Sequence, residues 1–315
     1  MNNKILIGVS SCLMGNRVRH DGGHKKDRFI TDILSEFFDF QSFCPETAVG
    51  MTVPRTPIRL VKKSDTVRLV DSDTGKIDFT WSMQRSAQQY ADSLSHLSGY
   101  ILKSKSPTCG MVRVKVYAEN GYPSKDGVGI FAEELMKANP NLPVEEEGRL
   151  HDARLRENFI ERVFAYHRWQ EMLANDFSVR GLMDFHKQHK FILLAHNEVI
   201  YREIGKLVAE TRTDTLKKNA EIYISKFTLA MKQRVSRKRH VNVLQHCMGY
   251  VKQDLDSDDK AELLDIFQKY ARGEVPLVVP LTLLKYHFRK NPQPYINDQF
   301  YMDPYPEKLM LRNHV

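Results

Sequence analysis

The chain reads as an α/β domain built on a mostly parallel, Rossmann-like sheet, followed by an all-α second domain. Strand-like runs alternate with helical patterns through the first 140 residues, and helical spacing alone persists after about residue 200. The change of texture falls at Asn139-Pro140-Asn141-Leu142-Pro143 and the following Glu145-Glu146-Glu147-Gly148, where prolines and a run of acids read as a break. The expected domains are residues 1–160 and 161–315.

The apolar run 5–9 predicts a buried first strand. Periodicity then predicts a helix near 28–38, strands at 41–43 and 67–70, a helix near 79–97, a strand at 100–102 and a helix near 128–138. From His151 onward Leu155, Phe159, Ile160, Val163 and Phe164 recur at helical spacing. Further helices are expected over 179–189, 198–211, 215–233, 241–253 and 260–272. Pro276, Pro280, Pro292, Pro294, Pro304 and Pro306 mark a tail expected to be irregular and to wrap the surface.

A chain of 315 residues with 42% hydrophobic content can bury two cores. Four cysteines argue against a disulfide scaffold and for a reducing compartment. Lys4 followed by Ile5-Leu6-Ile7-Gly8-Val9 imitates a lipoprotein signal, but this apolar core falls short of the roughly 7 to 15 residues such a signal requires. No run approaches the roughly 18 apolar residues of a membrane span, so a cytoplasmic protein with no membrane partner is expected.

The net charge of +8 is uneven. Residues 1–150 hold 20 basic against 18 acidic side chains, and residues 151–315 hold 27 against 21. The excess concentrates in 226–253, a stretch without one acid that carries Lys226, Lys232, Arg234, Arg237, Lys238, Arg239 and Lys252. With Tyr223, Phe227 and Tyr250 nearby for stacking, this segment is expected to bind a polyanion.

Three of the four cysteines follow short apolar runs: Cys12 after 4–9, Cys44 after 40–43, and Cys109 after 100–102 and the segment Lys103 to Gly110. That pattern places three thiols in loops at one edge of a single sheet, where open α/β sheets put their chemistry. One reduced cysteine is commonly just a small buried hydrophobe. Three in equivalent positions point to a shared site. None forms a C-x-x-C pair, and ligands spread from Cys12 to Cys109 need the whole fold to assemble them. Three thiolates with no obvious fourth suggest a centre with one open coordination position, and thiolate-only ligation favours iron-sulfur or zinc. Cys247, amid a helical pattern in the other domain, reads as a packed core thiol. Asp126-Gly127-Val128-Gly129 opens a predicted helix and reads as a capped turn rather than a phosphate cradle.

Five ordered blocks carry a resemblance: Ser10-Ser11-Cys12-Leu13-Met14-Gly15, Val18-Arg19-His20-Asp21-Gly22, Cys44-Pro45-Glu46, Pro54-Arg55, and Leu102-Lys103-Ser104-Lys105-Ser106-Pro107-Thr108-Cys109-Gly110. Together they resemble the thiouracil desulfidase family over roughly the first 160 residues. His240-Val241-Asn242-Val243-Leu244-Gln245-His246 and Gly249-Tyr250 resemble a helical domain of formerly unknown function that occurs fused to such desulfidases. The fused architecture is similar to desulfidases acting on 4-thiouridine in transfer RNA.

The resemblance implies a 4Fe-4S cluster held by Cys12, Cys44 and Cys109, with one iron not ligated by protein and free to take a thiocarbonyl sulfur. It implies Glu46 as the catalytic carboxylate; Ser106 is a second choice, as a hydroxyl that orients water or the base edge. Ser10 and Ser11 are placed to donate hydrogen bonds to cluster sulfur, and Lys103 to offset its negative charge. Free-base members tend to carry a Gly-Gly pair and an acidic residue around the Cys-Pro-Glu block, where this chain has Ala48-Val49-Gly50 and Pro57-Ile58-Arg59. A basic residue at the pocket mouth suits a phosphate-bearing substrate. The expected transfer-RNA contacts are therefore Arg59, Lys232, Arg234, Arg237, Lys238 and Arg239. The expected function is replacement of the thiocarbonyl sulfur of 4-thiouridine in transfer RNA by oxygen, giving uridine and sulfide. The alternatives are a desulfidase of free thiouracil or thiouridine monophosphate, with the helical domain serving oligomerisation, and a non-catalytic iron-sulfur sensor that binds nucleic acid.

Overall fold

The computed structural model describes residues 4–118 and 121–315, in two compact units, Met1–His151 and Asp152–Val315. In the first unit the elements are β1 (Ile5–Ser10), β2 (Phe38–Phe43), α1 (Pro45–Ala48), β3 (Ile58–Lys63), β4 (Thr66–Asp71), α2 (Thr80–Asp92), β5 (Tyr100–Leu102), β6 (Val114–Tyr117), β7 (Pro123–Gly127), α3 (Ile130–Ala138) and β8 (Val144–Glu146). One sheet runs β2-β1-β5-β8 and is wholly parallel. Its central strand β1 is buried almost end to end, as its unbroken apolar run requires. Gly8 permits this packing: a Cβ there would lie 2.2 Å from the ring of fully buried Tyr100.

A second sheet, β4-β3-β6-β7, was not foreseen. The strand expected at 67–70 belongs to it, as β4, and pairs antiparallel with β3, while β3 runs parallel to β6 and β6 antiparallel to β7. The residues of β7, Pro-Ser-Lys-Asp-Gly, are almost all exposed and carry no apolar signal. The helix expected at 28–38 is a π turn (Phe29–Ile33) and a 3-10 turn (Leu34–Glu36), because Phe38 pairs with Ile5 and the chain must already be extended there.

The acidic break at 145–147 is in fact the end of a buried strand. Each carboxylate has a partner there. Arg149 donates to Glu145 at 2.6 Å, the amide of Met111 donates to Glu146 at 2.7 Å, and the amide of Ser104 donates to Glu147 at 2.6 Å. Buried acids survive because their lone pairs are occupied.

The second unit contains α4 (Ala153–Asn175), α5 (Val179–Gln188), α6 (Lys190–His196), α7 (Glu198–Ala209), α8 (Leu216–Met231), α9 (Arg237–Met248), α10 (Ser257–Arg272), α11 (Val278–Lys290) and the short α12 (Pro294–Asn297). The division expected at residue 160 falls inside α4. Side chains of Asp152, Ser178, Asn197, Ser236 and Asp256 cap the starts of α4, α5, α7, α9 and α10. The proline-marked tail is not a surface wrap. Pro280 occupies the first turn of α11, where its missing N–H costs no helical bond, and Leu281, Leu284, Ile296, Tyr301 and Met302 enter the core. No helix among the described residues is long and apolar enough to cross a membrane.

This unit also buries a set of ionisable groups. His196 Nδ1 lies 2.5 Å from the Gln233 carbonyl and Nε2 lies 2.8 Å from Glu161 Oε2. Both ring nitrogens face acceptors, so the imidazolium satisfies the site. The Tyr305 hydroxyl donates to Glu157 at 2.9 Å. Burial, together with neighbouring Glu161, pushes Glu157 from 4.5 up to about 7. His196 is raised too, because the hydrogen bond and charge of Glu161 overcome its desolvation. For both groups the folded state holds the proton more tightly than the unfolded chain, so stability present at low pH is lost as pH rises. The stability that these two groups contribute should therefore fall as pH increases from 4.5 to about 7, while His186, His189 and His240, lowered by burial, contribute in the opposite direction. The melting temperature of Glu157→Gln relative to the parent should rise across the same interval.

Candidate functional site

The parallel order β2-β1-β5 brings three strand ends together. Ser10 pairs with Phe43, and Val9 with Ile101, so the residues following each strand emerge at one edge. Cys12 sits in the 3-10 turn Ser11–Met14 directly after β1. Cys44 is the N-cap residue of α1, directly after β2. Cys109 lies in the loop that leaves β5. All three line one cavity of about 370 Å³ in the first unit. Cys247 lies in the other unit, wholly buried among apolar side chains.

The Cys109 loop is tied to α3 through backbone hydrogen bonds. Amides at the start of α3 donate to it, Ile130 to the Pro107 carbonyl at 3.2 Å and Ala132 to the Thr108 carbonyl at 3.1 Å. Gly129 donates to the Gly110 carbonyl at 2.7 Å. These bonds occupy the amides of Gly129, Ile130 and Ala132 at the helix start, amides that a phosphate there would use. Gly129 is required by proximity, since a Cβ there would stand 2.4 Å from the Thr108 oxygen.

Burial pushes the Cys12 thiol up to about 11, although Lys103 and Arg19 pull it back down. Burial raises Cys109 further, against hydrogen bonds from Ser10 and Thr108. Both are thus protonated without a metal, and ligation must release those protons. The cavity is lined by Arg19, Lys25, Arg55, Lys103 and Lys105 against one carboxylate, Glu46. Such an excess of cations suits a group of thiolates and an anionic cluster.

Glu46 stands in the first turn of α1 and turns away from the backbone amides that a capping acid would take. Its Oε2 pairs with Arg55, and its Oε1 accepts from Thr108 Oγ1 at 2.8 Å. Arg55 also donates to the carbonyls of Val18 and Thr52, which fixes the guanidinium. Ser106 Oγ accepts the amides of Thr108 and Cys109 at 3.2 and 3.1 Å and stands 2.9 Å from Thr108 Oγ1. With its lone pairs so occupied, Ser106 donates its proton to Thr108, which donates in turn to Glu46. Ser106 therefore serves the turn and also lines the cavity. Neither Arg55 nor Thr108 was nominated from sequence, although both fall within the quoted blocks.

The remaining nominated residues divide. Ser10 Oγ accepts the Lys103 amide at 3.0 Å, tying β1 to β5, while Ser11 Oγ accepts from Asn16 at 2.7 Å. Lys103 is half-buried on the cavity wall and paired with Glu147. Arg59 is absent from this cavity's lining and faces the Tyr117 ring, 5.4 Å from its centroid. In the helical unit Lys232, Arg234, Lys238 and Arg239 are exposed, and Arg237 is half-buried. Arg239 donates to the His196 carbonyl at 2.6 Å at the end of α6. Tyr223 and Phe227 are fully buried on the core face of α8 and offer no base a stacking surface, which leaves the partly exposed Tyr250.

The model of the 2-thiouracil desulfurase family matches residues 7–147, a span that contains every residue lining the cavity. The uncharacterized protein YbbK of Bacillus subtilis is 32% identical over 114 residues, covering 33% of this chain and 73% of that protein. The chain belongs to the 2-thiouracil desulfurase family. Beyond the desulfurase domain, the model of a family of unknown function, DUF1722, matches residues 190–306. The uncharacterized protein YbgA of Escherichia coli is 27% identical over 161 residues, covering 51% of this chain and 95% of that protein. Among solved structures, the 4Fe-4S-dependent thiouracil desulfidase TudS is 26% identical, with a TM-score of 0.38, covering 48% of this chain and 95% of that one.

Among the described residues, no three His, Cys, Asp or Glu stand close enough to share one metal ion. A multi-iron cluster would make a different demand on this cavity, because Cys12, Cys44 and Cys109 would hold it without having to converge on a single metal ion. Three thiols from separate loops, an excess of cations and no fourth cysteine in the unit fit that group. Gly129→Ala should displace the Cys109 loop and cost about 1–3 kcal/mol through overpacking. Chemical denaturation, with iron content measured after reconstitution, checks both effects.

Proposed function

We propose that this protein is an iron-sulfur-dependent desulfidase that replaces the thiocarbonyl sulfur of 4-thiouridine in transfer RNA by oxygen, giving uridine and sulfide. The observation that carries the reading is the convergence of Cys12, Cys44 and Cys109 on one cavity whose carboxylate, Glu46, is oriented by Arg55 and Thr108. Family membership supports the desulfurase chemistry. A cluster bound by the three thiolates would supply a thiophilic iron with an open position toward the departing sulfur.

Thiocarbonyl and water become carbonyl and hydrogen sulfide, with no net electron transfer. The chain's own residues manage the protons and the charge. Glu46 accepts a proton from the attacking water, and Arg55 keeps the carboxylate aimed into the cavity. The Ser106-Thr108 hydroxyl chain fixes its second oxygen. Lys103 and Arg19 offset negative charge beside Cys12. At about 370 Å³ the cavity suits a single base, so a thionucleotide within RNA enters splayed out of its stack. Support for a polymer comes from the net charge of +8 and from Lys232, Arg234 and Lys238, exposed on the helical unit.

The test is anaerobic cluster reconstitution followed by addition of thiolated transfer RNA, 4-thiouridine monophosphate or 4-thiouracil, with loss of the thiocarbonyl absorbance followed. Consumption of the RNA with equimolar sulfide is expected. Turnover of the free base alone would return the reading to small thiolated pyrimidines. Cys12→Ala, Cys44→Ala and Cys109→Ala should each abolish iron binding and turnover. Glu46→Gln should retain iron and lose about 10²- to 10⁴-fold in rate.

A further inference from the structure

A second cavity, of about 1080 Å³, adjoins the thiol cavity within the first unit and shares Ile58, Ser104, Lys105 and Pro107 with it. Its wall carries Arg59, Lys105, Arg113, Lys115, Lys125 and Arg149 against one acid, Glu146. That acid is buried and already accepts the amides of Met111 and Val112. Among the described residues only Arg149 of the six cations has a carboxylate partner, Glu145.

The second sheet builds this wall. Leu60 pairs with Val116 across β3 and β6, and both are buried, so the alternate positions Arg59 and Lys115 project together from the other face. Tyr117 lies two residues beyond Lys115 on that face, with the Arg59 guanidinium 5.4 Å from its ring centroid. Lys125 comes from the neighbouring strand β7. Lys105 and Arg113 hold left-handed φ values of 62° and 56°, a conformation that costs a non-glycine residue about 1–2 kcal/mol. Strain of this kind is retained where function uses it.

A free thiobase carries no phosphate and gives Arg59, Lys105, Arg113, Lys115 and Lys125 nothing to neutralise. We propose that this cavity is the track for the sugar-phosphate backbone of RNA on either side of the thionucleotide, with Tyr117 and Arg59 as the platform on which a flanking base stacks. The inference rests on the RNA-desulfidase reading and places the polymer on the desulfurase unit itself, in addition to the helical unit. A base-sized pocket opening into a basic trough selects a nucleotide within a chain over the free base.

The experiment uses the full-length, cluster-loaded protein and a transfer RNA containing 4-thiouridine. Fluorescence anisotropy at several salt concentrations reads binding, and turnover of 4-thiouracil reads the chemistry. The double variant Arg113→Glu with Lys125→Glu should weaken RNA binding tenfold or more and make the log–log salt dependence shallower by about two. Turnover of 4-thiouracil should stay within twofold. The milder pair Arg113→Gln with Lys125→Gln should show the same effects at smaller size. RNA affinity and salt dependence equal to the parent's would overturn the inference while leaving the RNA-desulfidase reading intact. Loss of 4-thiouracil turnover in both pairs would also overturn it, by making the trough part of the base pocket. A parent protein that fails to bind the thiolated RNA would remove both readings.

Discussion

Strands lying side by side and running in one direction must finish side by side, and everything at the site depends on that constraint. The pairing of β1 with both β2 and β5 is what converts three cysteines distant in sequence into neighbours on one cavity. The pairing is held by burial. Ile7 and Val9 on β1, Phe38 on β2 and Ile101 on β5 are excluded from water almost completely. At roughly 1.5–3 kcal/mol for each fully buried side chain, the hydrophobic layer rather than the polar edge fixes the register. The thiols are consequences of a core they do not themselves build.

Around that edge the electrostatics have one direction. The cavity gathers cations, and its one lining carboxylate is matched to a guanidinium anchored by two backbone carbonyls. A pocket proposed to hold three thiolates and release sulfide would benefit from such a field. The adjoining trough continues the same sign outward across the second sheet. In the proposed RNA desulfidase, reactive chemistry and polymer recognition would then share one potential, which would draw an anionic strand toward the thiols before contact.

The parts legible in the sequence were those whose signal is local. β1, β2 and β5 announce themselves as apolar runs ending in cysteine-bearing loops, and α4, α5, α7, α8, α9 and α10 follow from periodicity, whereas α6 and α11 do not. What stayed hidden depends on partners far along the chain. Glu145, Glu146 and Glu147 look like a solvated break until Arg149 and the amides of Met111 and Ser104 are brought beside them. The 28–38 segment has helical spacing, yet strand pairing at Phe38 overrides it. Pro280 and its successors look irregular, but a proline in a helix's first turn removes no bond, and the apolar side chains after it fill the core. Arg55 and Thr108 were present in recognisable blocks, but only the folded chain sets both against Glu46.

The mooring of Cys109 bears on what would happen to the proposed desulfidase if its cluster were lost. In small zinc domains the metal is the folding energy, and its removal unravels the chain. Here the loop hangs from the first turn of α3 through amide-to-carbonyl bonds, with Gly129 seated against the Thr108 peptide. No part of that attachment passes through the sulfur. In the proposed desulfidase, oxidative damage to the cluster would therefore silence the chemistry while leaving the Cys109 loop moored to α3, ready to be refilled rather than remade.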